Sequence, residues 1–301
     1  MTRKLQAKDL LVFLIITLLL VITLTGILSL DNSQSYIITN QYGHQVEIFG
    51  HGIYSHDSFF RAPIFIGTDF TMFFLVVPML LIGLYREART RTIRTKLFMN
   101  AVLTVVLYYS ASIAFGVTYN SYHLLYIALL SSSLFALIVN LRELETKMTL
   151  NKKINYSDDV SSRGIEVFLV ISGVSLFIAW LPDILPTLIN QGTLPLIEIY
   201  TTEITYVLDM GIISPLMFIC LYLLKKRHSL GTILLASLLT LCAVMGIMLP
   251  IQTFFQILAG ISIPLPVLVV KVGIFVVLAL FATYFDVRLF KKIRSKENES
   301  N

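Results

Sequence analysis

The chain contains several long runs of apolar residues without charge, and these runs constrain its fold more than any other feature. Residues 10–30 and 230–249 are two examples. A run of about 20 apolar residues lets a helix cross a hydrocarbon core roughly 30 Å thick. Because the backbone has no water to bond with in that core, such runs predict a bundle of transmembrane helices.

The runs predict an all-α membrane protein with about eight transmembrane helices in a single polytopic membrane domain, 1–301. A large soluble domain is excluded because no stretch between spans exceeds about 35 residues. Only 14% of the residues are charged, compared with about 25% in soluble domains. The chain also lacks the common ATPase, dinucleotide, zincin and hydrolase motifs. The predicted spans are about 10–30, 64–85, 97–117, 122–141, 164–181, 201–224, 230–249 and 266–285.

The basic residues predict the orientation of these spans. Of the 23 lysines and arginines, 21 fall at the N-terminus, in the loops 86–96, 142–163 and 225–227, or in the tail from residue 288. Such a bias places this side in the cytoplasm. We therefore expect a plasma (inner) membrane protein with both termini cytoplasmic. The net charge of +5 is then a topology signal, and the expected partner is the lipid bilayer rather than nucleic acid.

The longest segment on the opposite side, 31–63, is predicted to form a small extracellular hairpin between helices 1 and 2. Tyr36–Thr39 and Gln45–Phe49 flank the turn-forming residues Asn40-Gln-Tyr-Gly. Two further outer segments, 182–200 and 250–265, are apolar and contain several prolines. They are expected to lie along the membrane interface or to dip inward.

Three ionisable residues lie inside predicted spans, namely Asp69, Asp209 and Lys271. At 1.5 Å per residue, they form one layer roughly 21–24 Å from the inner boundary, and Tyr126 is near the same height. Ionisable groups in a membrane are functional-site hypotheses by default, because burying them costs several kcal/mol. Two alternatives stay open: the Asp–Lys pair is structural, or Lys271 snorkels to the outer surface.

The sixth predicted span carries a polar face. Its members follow four-, three- and four-residue spacing and would share one side of a helix; they are Glu198, Thr202, Thr205 and Asp209. Glu203 extends this surface sideways. Pro215 cannot donate a backbone hydrogen bond, which frees the carbonyl near Gly211. Interrupted helices are typical of transporter sites, although proline kinks also occur in ordinary membrane helices.

Other chemistries have weaker support. His51, His56 and Asp57 could supply part of a zinc or copper site, but their spacing matches no strong template, so neither a metal nor a cofactor is predicted. A retinal-type Schiff base on Lys271 is disfavoured by eight spans and by a single tryptophan, Trp180, placed where an interfacial belt residue belongs. Cys220 and Cys242 are interpreted as small buried apolar residues.

One set of short motifs resembles a known group of proteins. The motifs are Tyr54…Asp57-Ser58…Ala62-Pro-Ile-Phe…Gly67-Thr-Asp69, Tyr119-Asn120 and Thr201-Thr-Glu…Leu208-Asp209…Gly211-Ile-Ile. With them, the chain resembles a group of uncharacterised polytopic prokaryotic membrane proteins along most of its length. The resemblance implies no known activity, but it favours Asp57, Asp69 and Asp209 over the loop histidines.

Together these observations predict an outward-facing polar cavity that binds an unknown small molecule or ion, in a protein of the transporter type. Asp69 and Asp209 would bind a cation or proton, Lys271 would balance their charge, and Glu203 would line the entrance. The full predicted set is Asp69, Asp209, Lys271, Glu203, Thr205 and Tyr126. One alternative is a sensor or scaffold that docks a cytoplasmic partner. Another is an outer-leaflet membrane enzyme, which would need a metal or nucleophile beside the acids.

Overall fold

The computed structural model describes residues 7–31, 33–150, 160–190, 192–194 and 196–300. Its architecture is all-α, as predicted, apart from one small two-stranded hairpin. We number the helices α1 to α8. They are α1 (Ala7–Ile27), α2 (Ala62–Thr90), α3 (Ile93–Gly116), α4 (His123–Leu150), α5 (Arg163–Ile189), α6 (Ile204–Lys225), α7 (Ser229–Leu258) and α8 (265–300).

Seven of these helices, α1 to α7, are long and apolar enough to cross a membrane. The chain is therefore a multi-pass membrane protein, and its helices contact lipid. The predicted eighth span, 266–285, falls on α8, where the side chains of residues 267, 270 and 271 lie outside the described part of the chain. That crossing stays a prediction, and so does the cytoplasmic position of both termini.

Helices α3 and α7 lie at the centre of the bundle. In each of them 67% of the most apolar stretch is buried, compared with 33% in α4 and α5. Helix α3 packs against both α4 and α7, and α7 also packs against α2, α6 and α8. The outer helices expose large side chains such as Phe135 and Ile178, which suit a lipid environment rather than water.

Three helices contain a segment of wide π-helical turns. These segments are Met72–Val76 in α2, Asp209–Ile213 in α6 and Val269–Gly273 in α8. In the first two, a proline follows closely, Pro78 or Pro215. Since proline lacks the N–H that an α-helix needs at that position, the preceding turn widens. Val77 N–H then donates to the carbonyl five residues earlier, as does Ser214 N–H to that of Asp209.

The segment between α1 and α2 contains the hairpin that the sequence predicts. Strand β1 (Tyr36–Thr39) pairs antiparallel with β2 (Gln45–Ile48). The N–H of Phe49 donates to the carbonyl of Asp57 at 2.9 Å, which folds the following residues back along β2. A 3₁₀ turn, Gly52–Tyr54, then leads towards α2. The extracellular position of the hairpin stays a prediction.

Candidate functional site

Asp69 lies in the first part of α2 and is fully buried. One carboxylate oxygen accepts a hydrogen bond from the hydroxyl of Tyr54 (2.6 Å), and the other accepts one from Tyr109 on α3 (2.5 Å). Helix α1 approaches the same carboxylate at Gly26, where a Cβ atom would lie 1.6 Å from Oδ2. Asp69 is therefore enclosed by Tyr54, Tyr109 and Gly26, and its role as a ligand acid stays a prediction.

Tyr126 on α4 belongs to the same buried group. Its hydroxyl lies 3.2 Å from Nδ2 of Asn120, and that amide also donates to the carbonyl of Ile53 (2.8 Å). These bonds connect the turn between α3 and α4 to the turn that carries Tyr54. Tyr126 thus belongs to a polar network with Asn120 and the Ile53 carbonyl, and its role as a ligand residue beside Asp69 stays a prediction.

A cleft of about 520 Å³ lies next to this network. It is lined by the end of α1, the turn at 52–56 and the turn at 120–122. Ile53 and Asn120 line the cleft, whereas the adjacent Tyr54 is completely buried. Tyr54 therefore separates the cleft from Asp69, and the carboxylate is not exposed to it.

Asp209 is the first residue of the π segment in α6, and only 6% of it is exposed. Its Oδ1 accepts a hydrogen bond from the Tyr108 hydroxyl (2.8 Å), and its Oδ2 accepts one from the indole N–H of Trp180 (3.0 Å). Trp180 also stacks on Tyr206 with ring centroids 4.7 Å apart. The indole thus forms a hydrogen bond inside the protein. Its predicted position in the interfacial belt did not indicate this contact.

The two acids are connected through adjacent residues of α3. Tyr108 and Tyr109 point in directions about 100° apart, so one reaches Asp209 on α6 and the other reaches Asp69 on α2. Both tyrosines lie roughly 22–24 Å along the helix from Ile93, at 1.5 Å per residue. The sequence interpretation missed this pair. The available signal was two consecutive tyrosines in the middle of an apolar span.

A cavity of about 50 Å³ lies beside Asp209, between α3, α5, α6, α7 and α8. Apart from Asp209, its polar lining consists of Tyr108, Ser172 and the thiol of Cys242, and the remaining walls are apolar. The hydroxyl of Ser172 is buried and has no hydrogen-bond partner among the described residues. A buried hydroxyl without a partner is uncommon and costs free energy. The cavity thus combines an acid with unused hydrogen-bonding capacity.

A second polar cluster joins the segment before α2 to the segment before α6. Arg61 forms ion pairs with Glu198 and Glu203, and its guanidinium carbon lies 4.3 Å from the centre of the Tyr200 ring. The Ser58 hydroxyl donates to the Glu198 carboxylate. We call Asp57, Ser58, Arg61, Glu198, Tyr200 and Glu203 the outer polar cluster. Glu203 is thus one partner of an ion pair, and its position at the entrance of a cavity stays a prediction.

The predicted polar face of the sixth span is wrong in its first half. Helix α6 begins at Ile204, so Glu198 and Thr202 lie in the preceding loop. Glu198 has a left-handed backbone conformation (φ 50°), which a residue within a right-handed α-helix does not adopt. These residues lie outside the helix because Glu198 and Glu203 bind Arg61, which precedes α2. Thr205, in the first turn of α6, is half-buried, and its role as a ligand residue stays a prediction.

Within the outer polar cluster, burial raises the pKa of Asp57 to about 7. Hydrogen bonds from the Thr118 N–H (2.9 Å) and the Tyr200 hydroxyl (3.0 Å) to Oδ1, together with the charge of Arg61, limit this rise. The other oxygen, Oδ2, is buried and has no partner among the described residues. Burial likewise raises the pKa of Glu198.

Two further predictions remain without a test. The backbone of Lys271 lies in the π segment of α8, but its side chain is outside the described part of the chain, so the Asp209–Lys271 pair stays a prediction. Among the described residues, no three histidines, cysteines or acids gather as a metal site. Among the loop histidines, His51 has its Nδ1 atom 3.9 Å from Oδ2 of Asp31.

No family model, curated protein or solved structure matches this chain. Its class is defined by the fold alone: a multi-pass, all-α membrane protein. Within that class the described features of interest are two buried acids connected through one helix, a small cavity at Asp209, and the outer polar cluster.

Proposed function

We propose that the protein binds a proton, a small cation or a small cationic ligand at Asp209, as part of a transport cycle. The observation that carries this proposal is the setting of the Asp209 carboxylate. It lies at the interruption of a membrane helix and on the wall of a cavity, close to the Ser172 hydroxyl, which has no hydrogen-bond partner among the described residues. Ionisable groups in such positions mark ion and substrate pathways in membrane proteins.

The other predicted residues take supporting roles in this proposal. Asp69, closed in by Tyr54, Tyr109 and Gly26, would hold the outer turn against α2 and α3. Glu203 would hold the two outer segments together through Arg61. Lys271 would balance charge near Asp209.

Trp180 provides a direct test, because it is the only tryptophan of the chain and its N–H binds Asp209. The fluorescence of the purified protein would be followed while pH, NaCl and LiCl are varied separately. We expect a saturable change in at least one titration, and we expect Asp209→Asn to abolish it. Asp69→Asn is the matched control, because it changes a buried acid that does not contact Trp180, and it should keep the response.

Two outcomes would refute the proposal. One is an emission spectrum that no proton or cation changes. The other is a change that Asp209→Asn leaves intact, since the response would then arise elsewhere. Thermal stability in the same titrations provides an independent measurement, because a ligand that binds only the folded protein raises the melting temperature.

A further inference from the structure

The walls of the Asp209 cavity indicate which kind of cation would fit, and this inference rests on the proposed function. Aromatic rings surround the carboxylate. Tyr108 and Trp180 both donate to it, and Phe275 lines the cavity with its ring centroid 6.5 Å from that of Trp180. Aromatic faces attract ammonium groups, most strongly where water is excluded.

The hydrogen bonds of Asp209 restrict the cation further. Each carboxylate oxygen already accepts a bond from a neutral donor, Tyr108 or Trp180. This arrangement does not suit a hard metal ion, because such an ion takes six or more oxygen ligands. A methylated ammonium needs no hydrogen bond, and it can be held by negative charge and aromatic faces alone.

The remaining lining also suits methyl groups. Leu176, Met217, Leu241 and Met245 contribute apolar walls. The first three are at least nine-tenths buried, whereas Met245 and Phe275 are half-buried and form the rim. The cavity of about 50 Å³ is several times the roughly 10–15 Å³ that one buried water needs, so it has room for a small group of more than one non-hydrogen atom.

We propose that the cavity binds a small methylated ammonium group, with Asp209 as the counter-ion and Tyr108 and Phe275, the two aromatic residues of the lining, as an aromatic enclosure. The group could be a free ion or the head of a larger amine whose tail leaves through the rim. The cavity would then select its ligand by charge and by apolar fit together. Neither property alone is sufficient for tight binding.

The test is a titration of the purified full-length protein with ammonium, methyl-, dimethyl-, trimethyl- and tetramethylammonium chloride at constant ionic strength. Trp180 fluorescence and melting temperature would both be recorded. We expect saturable binding that strengthens about fourfold with each added methyl group, from about 0.8 kcal/mol per buried CH₂. tert-Butanol, an uncharged molecule of similar shape, should not bind at these concentrations.

Two variants examine the enclosure itself. Phe275→Leu should weaken tetramethylammonium binding by about tenfold, since it removes an aromatic face. Phe281→Leu is the matched control on the same helix, because Phe281 is 54% exposed and does not line the cavity, and it should bind as the unmodified protein does. Asp209→Asn should weaken binding at least tenfold.

Several results would overturn the inference. If tert-butanol binds as tightly as tetramethylammonium, the cavity does not select its ligand by charge. If Phe275→Leu binds tetramethylammonium as tightly as the unmodified protein does, the aromatic enclosure makes no contribution. Binding that appears only in Lys271→Met would mean that the chain's own ammonium occupies the cavity. An Asp209-dependent response to protons or Na⁺ without one to tetramethylammonium would leave the proposed function standing and refute this inference alone. No response to any of them would refute both.

Discussion

Replacing Gly26 with alanine tests how closely α1 packs against the buried acid of α2. The new Cβ would lie 1.6 Å from Oδ2 and 2.7 Å from Cγ of Asp69, so either the carboxylate or the helix must move. Asp69 is held in place by Tyr54 and Tyr109 at 2.6 and 2.5 Å. Moving it breaks at least one of these hydrogen bonds in a fully buried site.

The expected loss combines two effects. Overpacking a core costs about 1–3 kcal/mol, and a buried polar group without its partner costs about 1–3 kcal/mol more. We therefore expect Gly26→Ala to lower the free energy of unfolding by about 3 kcal/mol or more. At roughly 2–4 °C per kcal/mol for a chain of this size class, the melting temperature in detergent should fall by about 6–12 °C.

Two comparisons make this result specific to the contact. Gly211→Ala is the same change in a helical position with no other atom within 4 Å, and it should be neutral or stabilising because alanine favours helices over glycine. Combining Gly26→Ala with Asp69→Ala removes the clash, so the double variant should lose less stability than the sum of the two. Two results would refute the close packing of α1 on Asp69. One is the same melting temperature for Gly26→Ala and Gly211→Ala. The other is a double variant whose loss of stability equals the sum of the two single losses.

Three further predictions concern other parts of the molecule. Because the pKa of Asp57 is raised from 3.8 to about 7, the folded state binds a proton that the unfolded state releases between these values. Stability should therefore fall as pH rises from about 4 to 7, by up to about 4 kcal/mol, and melting curves of Asp57→Asn should lack this part of the slope; an unchanged slope would exclude Asp57 as its source. Reporters that work only outside the cell should be active when fused within 31–61 or 190–200 and silent within 151–162 or after 288, in accord with the basic residues, and one inverted position would change the number of spans. If Asp209 and Lys271 form a pair, Asp209→Asn and Lys271→Met should each lower the melting temperature while the double variant recovers part of the loss, whereas strict additivity would show that the two residues do not touch.

Several properties of this protein follow from the sequence alone. The all-α class could be predicted, and seven of the eight predicted spans fall on helices long and apolar enough to cross a membrane, because span length is a property of a continuous stretch. The interruption near Gly211 followed from Pro215, since the missing N–H acts within one turn of the same helix. The hairpin strands could be predicted for the same reason, because turn chemistry is local.

Only the tertiary structure decided what surrounds each buried acid. Asp209 is bound by Tyr108, 101 residues earlier in the chain, and Asp69 by Tyr109, 40 residues later. The start of α6 was predicted too early, because Arg61 holds Glu198 and Glu203 from a distant segment. A sequence pattern reports what one helix presents along its length. The partner that satisfies a buried carboxylate depends on which other helix faces it and at what depth, and that is determined by packing across the whole bundle.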